Sequence, residues 1–247
     1  MPTPIDPFPD TQIQEHDGIR YLYLDSPWIQ GALCLQQPER LVHEYAQRMM
    51  LWLLFADAPK RMAQCGLGAG ALTRFVLHYC PETALEVFEI NPKVIECAHR
   101  HFAVPRQHPQ LTITAGCAEQ QLRQRPAGHY QVLQLDAYPG EATAPALSGQ
   151  DFYALCARSL SADGLLISNF LGHPQQIHQH IHELNQCFAA TAWLPETEDG
   201  NLIAISFKEA PEISFDDLYR RADEIKAHYG LPAYQWVQAL EDWMLSG

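Results

Sequence analysis

A glycine-rich turn is the first feature of the sequence that could do chemistry. The segment CGLGAGALTRF begins at Cys65 and places Gly66, Gly68 and Gly70 at alternate positions between an apolar run and a helical pattern. Glycine lets a ligand approach the backbone closely, and the N–H groups at the start of the following helix suit a polar or anionic group. Gly66, Gly68 and Ala71 also satisfy the dinucleotide fingerprint G-x-G-x-x-G/A. The turn by itself is a weak signal.

A carboxylate follows in the next predicted strand. Glu89 stands near the end of LEVFEI, where its oxygens can accept charge-assisted hydrogen bonds from two ribose hydroxyls. The turn and the acid together predict a nucleoside ligand, and binders of NAD and of S-adenosylmethionine share both features. Two strand-like runs around EDGN predict an antiparallel hairpin after the fifth parallel strand. This ending is typical of methyltransferase-type folds, because NAD proteins continue into a second mononucleotide half. NAD remains the alternative.

The elements that must position these residues alternate along the chain. Strands are predicted at RMAQC, LEVFEI, LTITAG, YQVLQLDAY and GLLISNF, each followed by a helical segment. This alternation predicts a mainly parallel sheet with helices on both faces. We therefore expect an α/β fold of the Rossmann-like, class I S-adenosylmethionine-dependent methyltransferase type. A small N-terminal β-hairpin region (residues 1–37) precedes the nucleoside-binding domain and its C-terminal helices (residues 38–247).

The segment that joins the two regions is predicted to be a single helix. Leu41, Tyr45, Met49 and Leu53 recur at intervals of four residues in PERLVHEYAQRMMLWLLF, which is a helical period. Pro38 fits the first turn of such a helix.

Composition limits the classes of partner. The formal net charge of −13 argues against nucleic acid, whose phosphates need a basic face. An acidic field attracts small cations, although it can also serve solubility alone. The seven cysteines are scattered without a C-x-x-C pair, which predicts reduced thiols and no zinc site. The sequence shows neither a signal peptide nor a membrane span of roughly 20 apolar residues, so a cytoplasmic location is expected.

These motifs, in this order, resemble the spermidine synthase (polyamine aminopropyltransferase) family from about residue 20 to residue 208. The resemblance rests on YLYLDSPWIQGAL, PERLVHEYAQRMM, GLGAGAL, EINP, YQVLQLDAY and QDFYALCARSLSADGLLISN. It implies transfer of an aminopropyl group from a sulfonium nucleoside to an amine such as putrescine. It places the cofactor-binding residues at Gln30, His43, Gly66, Gly68, Gly70, Glu89, Cys117 and Ala118.

The resemblance also implies that Asp136 is the catalytic residue. The acceptor amine is protonated at neutral pH and therefore has no lone pair to offer. A carboxylate at the carboxyl edge of the sheet can take the proton and orient the amine. The alternative is a strand-end acid that only caps a neighbouring backbone N–H.

Several family positions are changed in this sequence. The loop acid that holds the ammonium of decarboxylated S-adenosylmethionine is replaced by Ala69, and the acid that binds the adenine amino group by Cys117. The tyrosine of the family's Tyr-His-Glu pattern is Val42, and the second acid of its Asp-Ser-x-Asp-Pro motif is Pro139. Ordinary S-adenosylmethionine is therefore a possible ligand beside the decarboxylated form. A methyltransferase-like enzyme or a non-catalytic nucleoside-binding relative is the alternative function.

Further residues near these motifs have two interpretations each. Tyr138 either lines the acceptor pocket or packs under the following loop, and residues 140–149 are either a flexible lid or an ordinary crossover. His178 and His182 are spaced to share a metal on one helix face, but a solvated helix is the favoured interpretation and no metal is expected. The family resemblance suggests a homodimer.

Overall fold

A small antiparallel sheet opens the part of the chain that the structure describes, residues 8–137 and 147–246 of a computed structural model. Its strands are β1 (Thr11–His16), β2 (Ile19–Leu24) and β3 (Ile29–Cys34), paired in that order. The predicted hairpin corresponds to β2 and β3. The strand β1, which pairs with β2 over its whole length, was not predicted because TQIQEH is polar and exposed on both faces.

A seven-stranded sheet forms the centre of the described chain. Its strands are β4 (Arg61–Cys65), β5 (Ala84–Glu89), β6 (Leu111–Ala115), β7 (Tyr130–Leu135), β8 (Leu160–Phe170), β9 (Ala190–Trp193) and β10 (Leu202–Phe207). The order across the sheet is β6-β5-β4-β7-β8-β10-β9. Strands β4 to β8 are parallel to one another, and β10 runs antiparallel to both β8 and β9. The predicted parallel sheet with an antiparallel terminal hairpin is confirmed.

Helices cover both faces of this sheet. They are α1 (Glu44–Arg48), α2 (Ala71–Tyr79), α3 (Pro92–His101), α4 (Ala118–Arg123), α5 (Gln150–Ser159), α6 (Pro174–Cys187), α7 (Phe215–Tyr229) and α8 (Ala233–Ser246). Alternate strand residues face two separate cores: Val87 and Val132 pack with α2, α3, α7 and α8, whereas Phe88 and Leu133 pack with α4, α5 and α6. Among the described residues no helix is both long and apolar enough to cross a membrane.

The single helix predicted from Pro38 onward is wrong. Residues 38–43 are not helical, α1 has five residues, and a 3-10 turn follows at Leu51–Leu54. Side-chain donors hold backbone carbonyls that a helix would use: Arg74 donates to the Pro38 carbonyl and Gln47 to the Leu41 carbonyl. All four residues of the 3-10 turn are buried, so apolar periodicity could not reveal a helix end there.

Candidate active site

A cleft lies at the carboxyl ends of the parallel strands, where the strand order reverses between β4 and β7. Chain connections leave toward opposite faces at such a point, and ligands of open α/β sheets bind in the resulting crevice. The volume is about 790 Å³, within the range of small-molecule sites. Its walls come from the segments after β4 to β8, from the N-terminal sheet and from the β9–β10 turn.

The structure brings most of the predicted site residues together around this cleft. The lining residues include Gln30, His43, Gly66, Gly68, Glu89, Cys117, Ala118 and Asp136. Gly70 is not among the lining residues of the described chain. Tyr138, Pro139 and residues 140–146 of the predicted lid lie outside the described residues.

The glycine turn packs closely against two neighbouring segments. Gly66 has a φ of +98°, and a Cβ there would lie 2.0 Å from the carbonyl oxygen of Asp136. Gly68 has a φ of +51°, and a Cβ there would lie 2.7 Å from the carbonyl oxygen of Gln30. Both positions therefore require glycine. The turn joins the end of β7 to the N-terminal sheet as well as opening α2.

Two further residues of the turn, Ala69 and Gly70, pack against neighbouring segments. Gly70 precedes α2 with a φ of +70°, and a Cβ there would meet the Val104 side chain at 2.3 Å. Ala69 is 1% exposed and faces Gly31, whose added Cβ would lie 2.7 Å from that of Ala69. Ala69 also lines the cleft, where it presents a methyl group and no carboxylate.

Glu89 ends β5 beside the glycine turn. The Leu67 N–H donates to its Oε2 at 2.9 Å, and the Asn91 N–H donates to its Oε1 at 2.8 Å. Burial raises the pKa of this carboxyl group, and the surrounding backbone N–H groups oppose the shift. Glu89 also lines the cleft, so its carboxylate borders the space that a ligand would fill.

Asp136 follows β7, one residue beyond the strand, and is partly buried. Burial raises the pKa of its carboxyl group to about 6, and the hydrogen bond from Asn169 works against that shift. The Asn169 Nδ2 group donates to Oδ1 of Asp136 at 3.0 Å. The carboxylate is therefore fixed in direction and can gain or lose a proton near neutral pH.

Two asparagines that sequence reasoning missed link Asp136 to the hairpin. Asn201 Nδ2 donates to Oδ1 of Asn169 at 3.0 Å, and both asparagines are buried. Asn169 stands in a buried apolar strand, SNF, where an amide must find partners. A polar amide in a buried apolar strand could therefore have marked Asn169 as a residue with a specific partner. The sequence EDGN contains no comparable feature that links Asn201 to Asp136.

The β9–β10 turn adds two acids that sequence reasoning also missed. Glu198 and Asp199 line the cleft and are exposed. The EDGN pattern predicts a hairpin turn and gives neither acid a place in a site. Their place at the cleft depends on the pairing of β10 with β8.

His43 lies on the cleft wall at the start of α1. Its Nε2 is buried and has no hydrogen-bond partner among the described residues. Burial lowers the pKa of the imidazole, and the negative charge of Asp199 opposes this shift. The ring stacks on Tyr45 with centroids 5.8 Å apart. A neutral imidazole with a free nitrogen can hydrogen-bond a ligand in the cleft.

The histidines of α6 lie apart from this site. His178 and His182 are both exposed, and His182 contacts Gln186. Within residues 8–137 and 147–246 no group of three or more potential metal-ligating side chains is found.

Solved structures share the architecture. A probable spermidine synthase from Corynebacterium glutamicum superimposes with a TM-score of 0.74 at 17% identity, over 96% of this chain and 93% of that one. Human methyltransferase-like protein 13 in complex with SAH superimposes with a TM-score of 0.65 at 18% identity, over 79% of this chain and 92% of that one. A spermidine synthase in complex with the transition state analogue AdoDATO superimposes with a TM-score of 0.64 at 15% identity, over 89% of this chain and 80% of that one. These likenesses confirm the predicted Rossmann-like methyltransferase fold class.

Curated sequences are similar over almost the whole chain. The polyamine aminopropyltransferase of Neisseria meningitidis serogroup A is 31% identical over 237 residues, which cover 95% of this chain and 90% of the relative. The polyamine aminopropyltransferase of Chromobacterium violaceum is 30% identical over 239 residues, 96% and 91% of the two chains. No protein-family profile matches. The identity and coverage of these relatives confirm the resemblance found in the motifs, and the chain belongs to the polyamine aminopropyltransferase family.

Proposed function

We propose that this chain transfers an aminopropyl group from decarboxylated S-adenosylmethionine, or a related sulfonium nucleoside, to an amine such as putrescine. The observation that carries the proposal is Asp136, a carboxylate with a pKa of about 6 in the same cleft as the glycine turn and Glu89. The names of the curated relatives support the reaction class. The AdoDATO complex of a spermidine synthase with the same fold supports an adenosyl-type substrate.

The nucleoside would lie between the glycine turn and the end of β5. Glu89 would accept hydrogen bonds from the ribose hydroxyls, which are charge-assisted and among the stronger polar contacts. Gly66 and Gly68 let the ligand approach the backbone. The remaining predicted contacts, to be tested singly, are Gln30, His43, Cys117 and Ala118.

Asp136 would bind the acceptor amine and take its proton. Its carboxyl group is mostly ionised at pH 7 because its pKa is about 6, and Asn169 fixes its direction. The bound nucleoside supplies the electrophile: the amine nitrogen bonds the methylene carbon beside the sulfonium while the carbon–sulfur bond breaks, and sulfur keeps the electron pair as a thioether. Tyr138, next but one in sequence, stays the predicted substrate contact.

Ordinary S-adenosylmethionine is the second candidate substrate. The observation in its favour is Ala69, which is buried against Gly31 and offers no carboxylate to an ammonium group. A cofactor that retains its carboxylate loses nothing at such a position. In that case the reaction would be methyl transfer, or the protein would bind the nucleoside without turnover.

Two further proposals concern the setting of the reaction. All seven cysteines are free thiols, which supports a reducing, cytoplasmic compartment. Ile13 and Leu35 are exposed apolar residues of the N-terminal sheet region, 36% and 39% accessible, and neither lines the cleft. They support pairing of two copies through this region.

The test is a product assay with purified protein, decarboxylated S-adenosylmethionine and putrescine. We expect spermidine and methylthioadenosine in equal amounts by mass spectrometry. Asp136→Asn should lower kcat/KM by about a hundredfold or more, since it removes a general base. The rate of the unchanged protein should fall as pH drops through about 6, because protonated Asp136 cannot accept a proton. A methylated amine formed from S-adenosylmethionine, without any spermidine, would contradict the proposal in favour of the second candidate.

A further inference from the structure

A short segment before β1 reaches the cleft from the N-terminal side. Residues 8–10, the strap, belong to no helix or strand, yet Phe8 and Pro9 are partly buried and line the cleft. The strap has no ladder of backbone hydrogen bonds to a neighbouring strand. Its place at the cleft therefore depends on groups from elsewhere in the chain.

Two residues at the start of α3 hold the strap. The Lys93 Nζ donates to the Phe8 carbonyl at 3.0 Å and to Oδ1 of Asp10 at 2.6 Å. The Asn91 Nδ2 donates to the Pro9 carbonyl at 3.2 Å. The Lys93 ammonium therefore bridges the first and last residues of the strap, and its charge strengthens both hydrogen bonds.

The same turn of chain also holds Glu89. The Asn91 N–H donates to Oε1 of Glu89 at 2.8 Å, and Oδ1 of Asn91 accepts from the Lys93 N–H at 2.9 Å. Consecutive hydrogen bonds thus connect the acid at the end of β5 to the lysine that holds the strap. Because α3 packs against β1, β5 and β6, this turn is a fixed support for both.

The strand order shows which part of a nucleoside the strap would meet. Along the carboxyl edge, β5 with Glu89 lies between β6 on one side and β4 and β7 with Asp136 on the other. With the ribose at Glu89 and the reacting carbon near Asp136, the base must extend toward β6. The strap is bonded to the chain that follows β5, where Ile90 lines the cleft and is 54% exposed. The faces of a purine ring are apolar and pack well against such side chains.

We propose that Lys93 is a positioning residue for nucleoside binding, which holds the strap so that Phe8 packs against the base. The inference rests on the proposed function and concerns how its nucleoside is held. Lys93 is not among the lining residues of the described chain. It therefore acts on the ligand through Phe8 and not by direct contact.

The test is a double-mutant cycle measured by titration calorimetry with methylthioadenosine. The variants are Lys93→Met, Phe8→Ala, both together, and Lys93→Arg, which keeps a charged donor. Lys60→Met is the matched control, because Lys60 is an exposed lysine just before β4, at the end of that strand opposite to the glycine turn. Phe8→Ala should raise the dissociation constant about tenfold, through loss of a ring contact. Lys93→Met should raise it about three- to fivefold, while Lys93→Arg and the control should bind like the unchanged protein.

The double variant distinguishes positioning from a separate effect of the lysine. Because Lys93 acts through Phe8, the double variant should bind no more weakly than Phe8→Ala alone. Additive losses, or an affinity that either single substitution leaves unchanged, would overturn the inference and leave aminopropyl transfer standing. If the unchanged protein binds no methylthioadenosine, the nucleoside site of the proposed function fails and the inference fails with it.

Discussion

As the proposed general base, Asp136 faces two opposing demands at the scale of one residue. A general base should titrate near the working pH, and burial achieves this by raising the pKa from 3.8 to about 6. The same burial makes the ionised carboxylate costly in the folded state. The site therefore gains a useful proton acceptor at the expense of stability above pH 6.

This cost gives a prediction for Asp136→Asn. Because the folded pKa exceeds the unfolded one, the carboxyl group costs no stability below about pH 3.8 and its full penalty above about pH 6. The variant should therefore be more stable than the unchanged protein by about 1–3 kcal/mol at pH 8, after allowance for solvent screening. The two proteins should converge at pH 4. Urea unfolding at both pH values measures this, and a constant difference across the range would contradict the raised pKa.

Individual site residues were predictable from the sequence where a motif marked them. Glu89 and Asp136 each end a recognisable strand, and the structure places both in the cleft. Asn169, Glu198 and Asp199 were missed because their place depends on strand pairing. β10 lies between β8 and β9 in the sheet, and no local sequence pattern predicts that strand order.

The glycine turn is the element that fixes the relative positions of three segments. It contacts the end of β7 through Gly66 and β3 through Gly68. Arg74 of α2 reinforces this arrangement, since its buried guanidinium donates to the carbonyls of Ala69 and Ala32. Burial lowers the pKa of Arg74 to about 10, so it stays charged at pH 7.

Replacement of Gly66 by alanine tests this packing. The added Cβ would lie 2.0 Å from the Asp136 carbonyl oxygen at a φ of +98°, so backbone must move. Gly18→Ala is the control, because Gly18 has a φ of +75° and nothing within 4 Å of an added Cβ. Conformational strain alone should cost the control about 1–2 kcal/mol. Gly66→Ala should lose clearly more in urea unfolding and should also lower activity, and equal losses would show that the contact is unimportant.

The elements themselves were predicted best where hydrophobic periodicity was unambiguous. The parallel strands and α2 to α8 follow from the alternation of apolar runs and helical patterns. The helix predicted from Pro38 failed because Arg74, distant in sequence, takes the Pro38 carbonyl. The β1 strand was missed because its pairing with β2 needs no apolar face.

At the scale of the whole molecule, the topology places every proposed role at one crevice. Reversal of the strand order between β4 and β7 opens the cleft, and the N-terminal sheet closes one side of it through Gly31 and Gln30. Acids from two strand ends and one hairpin give the crevice its negative charge. The residue proposed to bind the nucleoside, Glu89, and the residue proposed to bind the amine, Asp136, therefore line the same crevice.

The glycine turn and Glu89 together are proposed to hold an adenosine-like ligand. Titration calorimetry with methylthioadenosine tests this binding most directly, using the unchanged protein, Glu89→Gln, and a control variant, Glu82→Gln. Glu82 is an exposed acid two residues before β5, at the end of the strand opposite to Glu89. We expect Glu89→Gln to raise the dissociation constant roughly ten- to a hundredfold, the worth of one charge-assisted hydrogen bond, with the control unchanged. Equal affinity in all three proteins, or no binding to any of them, would contradict a nucleoside site at the glycine turn and Glu89.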